Sequence, residues 1–324
     1  MKPLLELENV RVRFRTHSAT QAWLAGIRDP FVDAVCGVSL EIAEGQTYGL
    51  VGESGSGKTT LARSIIGLVK PSEGSIRFEN RELTGLSASD ANRFRRHVGT
   101  MFQDPVGSLS PRMTIRTLLA EPFRIHGLAD VDIDHEVRRL LDLVGLGPHF
   151  SSRYPHQLSG GQARRVGVAR AIALNPRLIV ADEPTAGLDV SVQGEILNLL
   201  GRLQGELGVS ILVITHNLNV VRHITDRMGI MYLGRLLEQG PTREIFRQPR
   251  HPYTLALLSA NPEPDPDAQI NRVELQGEVP SLINRPSGCE FHPRCPFSRK
   301  QCGEDFPATR AEGNHHLYNC HYPR

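Results

Sequence analysis

Three short, unbroken apolar runs set the pattern of this chain: TYGLVG at 47–52, LIVADE at 178–183 and SILVITH at 210–216. Continuous runs of this length predict strands covered on both faces. Between the last two, Val192, Ile196, Leu199, Leu203 and Leu207 recur at helical spacing and predict one buried stripe. Alternating strands and helices predict a parallel sheet, an α/β core. VSLEI (38–42) and SIRFEN (75–80) alternate apolar with polar, the pattern of an antiparallel edge layer. HEVRRLLDLVGL places Val137, Leu140, Leu141 and Val144 on one face, so 104–157 reads as an inserted helical subdomain. ARRVGVARAIAL predicts an amphipathic helix with a basic face. NPEPDPD (261–267) breaks any regular element, and the tail after it has little periodicity. No internal repeat is present.

Composition narrows the classes. The 324 residues suffice for one large domain plus an appendage. Lys+Arg number 37 against Asp+Glu 35, a net charge of +2, which gives no electrostatic case for nucleic acid as partner. No run approaches the roughly 18 apolar residues of a membrane-spanning helix. MKPLLELENV lacks the apolar core of a signal peptide. These features predict a protein on the cytosolic side, reaching a membrane only through a partner.

The first apolar run leads into GESGSGKTT (52–60), which fits G-x-x-x-x-G-K-[ST] in the strand-to-helix context the motif needs. Gly52, Gly55 and Gly57 let backbone N–H groups turn inward, with Ser54 and Ser56 between them. The following helix adds its positive end. Lys58 suits the β- and γ-phosphates of ATP, and Thr59, followed by Thr60, offers a hydroxyl to Mg²⁺. The second run ends in Asp182, suited to holding Mg²⁺ through water, and Glu183, suited to polarising an attacking water. Gln103 in MFQDP can touch Mg²⁺ or that water, and His216 can contact a γ-phosphate. Taken singly, the acid pair is also compatible with a helix cap, the glutamine with a surface position and the histidine with a structural role. LSGGQ (158–162) puts Ser159, Gly160, Gly161 and Gln162 at a helix N-terminus, a second anion site.

The ordered series of phosphate loop, Gln103, LSGGQ, ADEP, LDVS and His216 resembles the ABC-transporter ATPases. The resemblance implies a P-loop NTPase core with an antiparallel β edge layer, an inserted helical subdomain (about 104–160) and a small Cys-bearing extension. It divides the chain into a nucleotide-binding domain, 1–245, and an extension, 246–324. It implies that two ATPs are sandwiched between two subunits, with Glu183 as catalytic base, His216 as switch histidine and Asp189 in a loop that signals across the dimer. Phe14 is the first choice for stacking on adenine, with Phe31 and Trp23 behind it because an insertion at 15–31 blurs the spacing. MFQDPVGSLSPRMTI, RYPHQLSGGQ, HPYTLALLSA and PSGCEFHPRCP narrow the resemblance to the oligopeptide/dipeptide importer ATPases. Such importers join two different ATPases, two transmembrane permeases and an extracytoplasmic substrate-binding protein. They lie peripherally on the cytoplasmic side of the membrane. Intact Gln162 is similar to the partner type that keeps its signature glutamine. Ala186, Gly187 and Asn217 depart from the commoner Ser-Ala and Asp. Nickel chelates, glutathione, sugars or another small solute are alternative cargoes. A soluble ABC ATPase of DNA repair or translation is the rival class, but no long coiled coil or second ATPase core is visible.

Cys289, Cys295, Cys302 and Cys320 cluster in the tail as C-x5-C-x6-C-x17-C, while Cys36 stands alone. In a reducing compartment this favours metal over disulfides. Four thiols suit a 4Fe-4S cluster or structural zinc, although zinc cysteines usually pair more closely. The resembling family can carry a cluster here. Free thiols remain open, and His292, His315, His316 and His321 are possible substitute ligands.

Overall fold

The computed structural model describes residues 2–18, 21, 23, 30–104, 107–260, 273–313 and 315–324. The NPEPDPD segment and most of the 15–31 insertion lie outside these. Its contacts divide the chain into two units: one of residues 1–4, 42–48 and 85–215, the other of 5–41, 49–84 and 216–324.

In the first unit two of the apolar runs become parallel strands. Val98–Met101 pairs with Leu178–Asp182, which pairs with Ser210–Thr215, in register Val98↔Leu178↔Ser210. The last two strands are buried nearly throughout, as unbroken runs require. The helix Val190–Leu207 buries Ile196, Leu199 and Leu203 of its stripe, but Leu207 is exposed near its end. The inserted stretch is helical. Ile115–Ile125 is capped by the Thr114 side chain and Ile133–Leu143 by Asp132. Each cap satisfies backbone N–H groups that the helix leaves free. Val137, Leu140, Leu141 and Val144 are all buried.

One expectation needs correcting. The helix Gly160–Ile172 has no solvated basic face. Arg164 is 3% exposed and donates to two backbone carbonyls. Arg165 reaches Val144 O and Glu195, and Arg170 reaches Ser108 O and Glu121. Sequence spacing cannot separate arginines that face water from arginines whose partners lie far along the chain.

The second unit holds antiparallel layers. Phe31–Ala43, Pro3–Arg15, Glu73–Phe78 and Arg81–Glu82 form a sheet in that order, with Leu5↔Phe78 and Leu7↔Ile76 in register. Arg227–Tyr232 pairs with Arg235–Pro241, which pairs with His316–Tyr318, so the tail's own hairpin extends the sheet. An apolar cluster joins Val51, Tyr232, Tyr253 and Phe291, tying the extension to the end of the Thr47–Val51 strand. Among the described residues no helix is long and apolar enough to cross a membrane.

Candidate functional site

The fully buried Thr47–Val51 strand leads into the glycine loop. A Cβ on Gly52 would lie 2.1 Å from Met231 O, so no side chain fits there. Gly57 has φ +99°, and a Cβ on it would lie 2.2 Å from Ala34 O. That glycine is the N-cap of the helix Lys58–Ile65. The helix therefore begins within the motif, earlier than its apolar residues suggest. Lys58 is buried, and its ammonium donates to Gly52 O (2.8 Å), Glu53 O (2.9 Å) and Ser56 Oγ (3.2 Å). The loop is fastened by Gly234 N–H to Ser56 O and by Glu53 N–H to Tyr253 Oη at 3.1 Å. Ser54 and Gly55 are exposed, and Thr59 and Thr60 are half-buried. An exposed loop edge with inward-held donors is open to an anion.

His216 is exposed in this unit. Asn217 caps the next helix, accepting from Asn219 N–H at 2.9 Å. Asparagine caps as well as aspartate, which accounts for its tolerance there. Phe14 and Phe31 are both partly exposed, and the Arg13 guanidinium lies 5.5 Å from the Phe31 ring centroid. Phe31 thus already has a cation on its ring. Trp23 is almost fully exposed.

In the other unit, Asp182 ends its strand half-buried and Glu183 follows in a left-handed conformation, φ +49°. This is costly for a side-chain-bearing residue, about 1–2 kcal/mol, and such strain persists only when surroundings enforce it. Here Glu183 N–H donates to Ile214 O at 2.8 Å. Thr215 Oγ1 donates to Glu183 Oε2 at 3.1 Å. Arg164 donates to Glu183 O (3.2 Å) and Ala186 O (2.6 Å). Burial lowers the Arg164 pKa, with Asp104 opposing that shift. Gly187 then turns with φ +71°, a conformation that suits glycine better than the alanine common there.

Gln103 is exposed after the Val98–Met101 strand. Ser159 and Gln162 cap their helix reciprocally: Ser159 Oγ accepts from Gln162 N–H, and Gln162 Oε1 accepts from Ser159 N–H. The Gln162 side chain is thereby turned to its own helix end. Gly160 is exposed and Gly161 half-buried. Asp189 precedes the Val190–Leu207 helix without a side-chain cap bond, and Val190 is 84% exposed.

The extension contributes a third group. Cys289, Cys295, Cys302, Cys320, His251 and His292 line one small cavity. Burial pushes the Cys289 thiol up to about 12, that of Cys320 to about 11, and raises Cys295 as well. Among the described residues no three His, Cys, Asp or Glu side chains close on one point as a single metal ion requires. Fully buried His251 accepts from Tyr253 N–H through Nδ1, which leaves Nε2 as the protonated nitrogen, with no partner among the described residues. Of the other histidines, His292 contacts Cys289 O, His316 pairs with buried Glu238 and His321 contacts Asp305 O. His315 takes a left-handed turn.

Five residues escaped sequence reasoning: Arg164, Glu53, Tyr253, His251 and Arg294. The last meets the Glu53 carboxylate through both terminal nitrogens, at 2.8 and 3.2 Å. Burial opposes the Arg294 charge, but its bonds to Glu53 and Tyr232 prevail and raise its pKa. HPY and HPR were visible as tail motifs, but nothing in their spacing pointed back to residue 53.

Comparison with known proteins covers both parts of the chain. The ABC transporter family matches residues 35–186, and the oligopeptide/dipeptide transporter C-terminal region matches 237–302. The chain is 44% identical to the oligopeptide transport ATP-binding protein OppF of Salmonella typhimurium, over 97% of this chain and 95% of that one. It is 43% identical to the oligopeptide transport ATP-binding protein AppF of Bacillus subtilis, over 98% and 97%. Among solved structures, the dimeric post-hydrolysis ATP-binding cassette MJ0796 bound to ADP and Pi aligns with a TM-score of 0.65 at 30% identity. It covers 74% of this chain and 99% of its own.

Proposed function

The chain belongs to the ABC transporter ATPases of the oligopeptide transport type, and from that membership we propose that it hydrolyses ATP to drive peptide import from the cytoplasmic face of a membrane. The observation that carries this reading is coverage: similarity runs through the cassette and the extension alike. A soluble ABC ATPase of DNA repair or translation would not be expected to carry a transporter-type extension. The named relatives favour oligopeptides over nickel chelates or glutathione.

Residue roles follow from chemistry. Lys58 and the N–H groups of residues 52–60 bind the triphosphate; phosphate oxygens replace the loop carbonyls as acceptors for its ammonium. Thr59, Gln103 and Asp182 are the residues that would hold Mg²⁺, and the ion would supply neutralisation of phosphate charge. Glu183 accepts the proton of the attacking water, its carboxylate held by Thr215. His216 contacts the γ-phosphate. Phe14 stacks on adenine, since Arg13 already lies over Phe31. Ser159, Gly160 and Gly161 meet the nucleotide of a second cassette, while Gln162 stiffens that helix end from within. Asp189 and exposed Val190 face the same partner. The chain is read as nucleotide-binding domain 1–245, including a helical part at about 104–160, and extension 246–324.

The sister cassette is a different ATPase, joined to two permeases and an extracytoplasmic binding protein. Affinity purification from membranes tests this. It should recover a second ATPase of different sequence together with permeases; recovery of identical copies alone would contradict it.

For the tail we favour a 4Fe-4S cluster over zinc. Four soft thiols line one cavity with His251, whose Nε2–H has no partner among the described residues. The cluster would crosslink a segment too short to build its own core. Loading it must displace protons from thiols that burial keeps neutral. Protein purified without oxygen should contain iron and acid-labile sulfide in equal amounts; zinc without iron would refute the assignment.

A further inference from the structure

Glu53 is the second residue of the phosphate loop, and its surroundings are divided. Its backbone belongs to the loop: its N–H donates to Tyr253 Oη and its carbonyl accepts from Lys58. Its side chain turns into the extension, where Arg294 meets it. The Arg294 side chain is 8% exposed and that of Glu53 25%, so water screens this pair less than a surface pair. Tyr232, Tyr253 and Phe291 pack as an aromatic cage, ring centroids 4.8–5.5 Å apart, with the guanidinium 5.9 Å from the Tyr232 centroid.

The fasteners are redundant for the backbone but not for the charge. Tyr253 and Lys58 already pin residue 53 on either side. Only Arg294 makes an ion pair with its carboxylate among the described residues. Left unpaired, that negative charge would stand beside a cradle built for a highly charged anion and oppose its entry. We propose that Arg294 is a positioning residue for nucleotide binding, neutralising Glu53 so that the phosphate loop accepts ATP. This rests on the reading that the loop binds ATP. It makes the extension part of the cassette's electrostatics. Cys295 follows Arg294 directly in the chain, so whatever the thiols hold lies one residue from the contact.

A purely structural tie and a charge-neutralising one differ in sign. If the pair only braced the fold, removing either partner would weaken ATP binding. If Arg294 neutralises Glu53, the two removals act in opposite directions. The test is titration of the full-length protein with a fluorescent ATP analogue and Mg²⁺, alongside kcat and KM for ATP. Arg294→Gln should raise Kd and KM about tenfold with kcat within about twofold. Glu53→Gln should tighten binding severalfold, because the Arg294 charge is then unopposed. The double variant should return close to wild type, and Arg294→Lys should stay within about threefold of it. Weaker binding in both single variants, or no change in either, would overturn the proposal. Should Arg294→Gln fail to fold, Glu53→Gln alone decides: tighter ATP binding supports the proposal, and weaker or unchanged binding overturns it. Wild-type protein that bound no ATP would instead bring down the reading of the loop itself.

Discussion

Replacing Arg164 with methionine keeps much of the arginine's stem volume but removes both bonds that hold the turn after Asp182. Each such bond from a charged donor contributes about 1.5–3 kcal/mol net. Burying the guanidinium costs several kcal/mol in the other direction, so global stability should change little. The local effect differs. Glu183 sits in a conformation that costs about 1–2 kcal/mol, and Arg164 grips that turn at two carbonyls, Glu183 O and Ala186 O. Without it, the turn keeps its neutral bonds, among them Glu183 N–H to Ile214 O and Ala186 N–H to Glu183 O, but loses its charged clamp, and the carboxylate samples other positions. A loss of about 1.4–2.7 kcal/mol of transition-state stabilisation corresponds to kcat falling about 10- to 100-fold. ATP affinity, set by the phosphate loop, should stay within about twofold of wild type. Phosphate-release kinetics and equilibrium nucleotide binding measure the two quantities separately. Arg164→Lys, too short and unforked to bridge both carbonyls, should fall between. Wild-type turnover in Arg164→Met would refute the clamp, and an equal loss of ATP affinity would show a diffuse structural defect instead.

Other outcomes follow from particular groups. Burial holds His251 neutral, its pKa down at about 4 against an ordinary 6.5, with Glu238 opposing that shift. The unfolded chain therefore binds the extra proton as pH falls through 6.5, while the fold takes it up only near 4. Stability is fully present above 6.5 and is lost across that window, about 2 kcal/mol between pH 7 and pH 5. His251→Asn keeps a side-chain cap for the Pro252–Ser259 helix and should flatten that part of the profile; parallel denaturation profiles would contradict the assignment. Phe14→Ala should weaken ATP binding severalfold while leaving triphosphate without a base unaffected. Phe31→Ala should change neither, and the reverse pattern would move the stacking role to Phe31.

What the sequence made legible was local. The three buried strands, the phosphate loop and the acid pair each lie within a few consecutive residues, and strand burial or glycine geometry constrains them where they stand. The helical stripes of 133–144 and 190–207 were visible for the same reason, because periodicity reports one face of one element. The residues proposed to position the chemistry were not visible. Arg164 acts 19 to 22 positions along the chain, and Arg294 acts 241 positions away. Both look like ordinary surface arginines until the fold brings their acceptors to them. Gln162 shows the opposite limit. Its motif was plain, but only the capping geometry reveals that its side chain is engaged by its own helix. The cysteine spacing likewise drew attention to the tail without saying that His251, from a helix N-terminus far upstream, lines the cavity that the four thiols share.

The central claim is that this chain closes on ATP with a second cassette and reopens after hydrolysis. Glu183→Gln tests it most directly, measured by light scattering with the second ATPase that the affinity purification is expected to recover. With ATP and Mg²⁺ the mass should rise to that of a two-cassette assembly and stay there, while ADP leaves the subunits apart. Unchanged mass with ATP, or hydrolysis at the wild-type rate, would contradict the account.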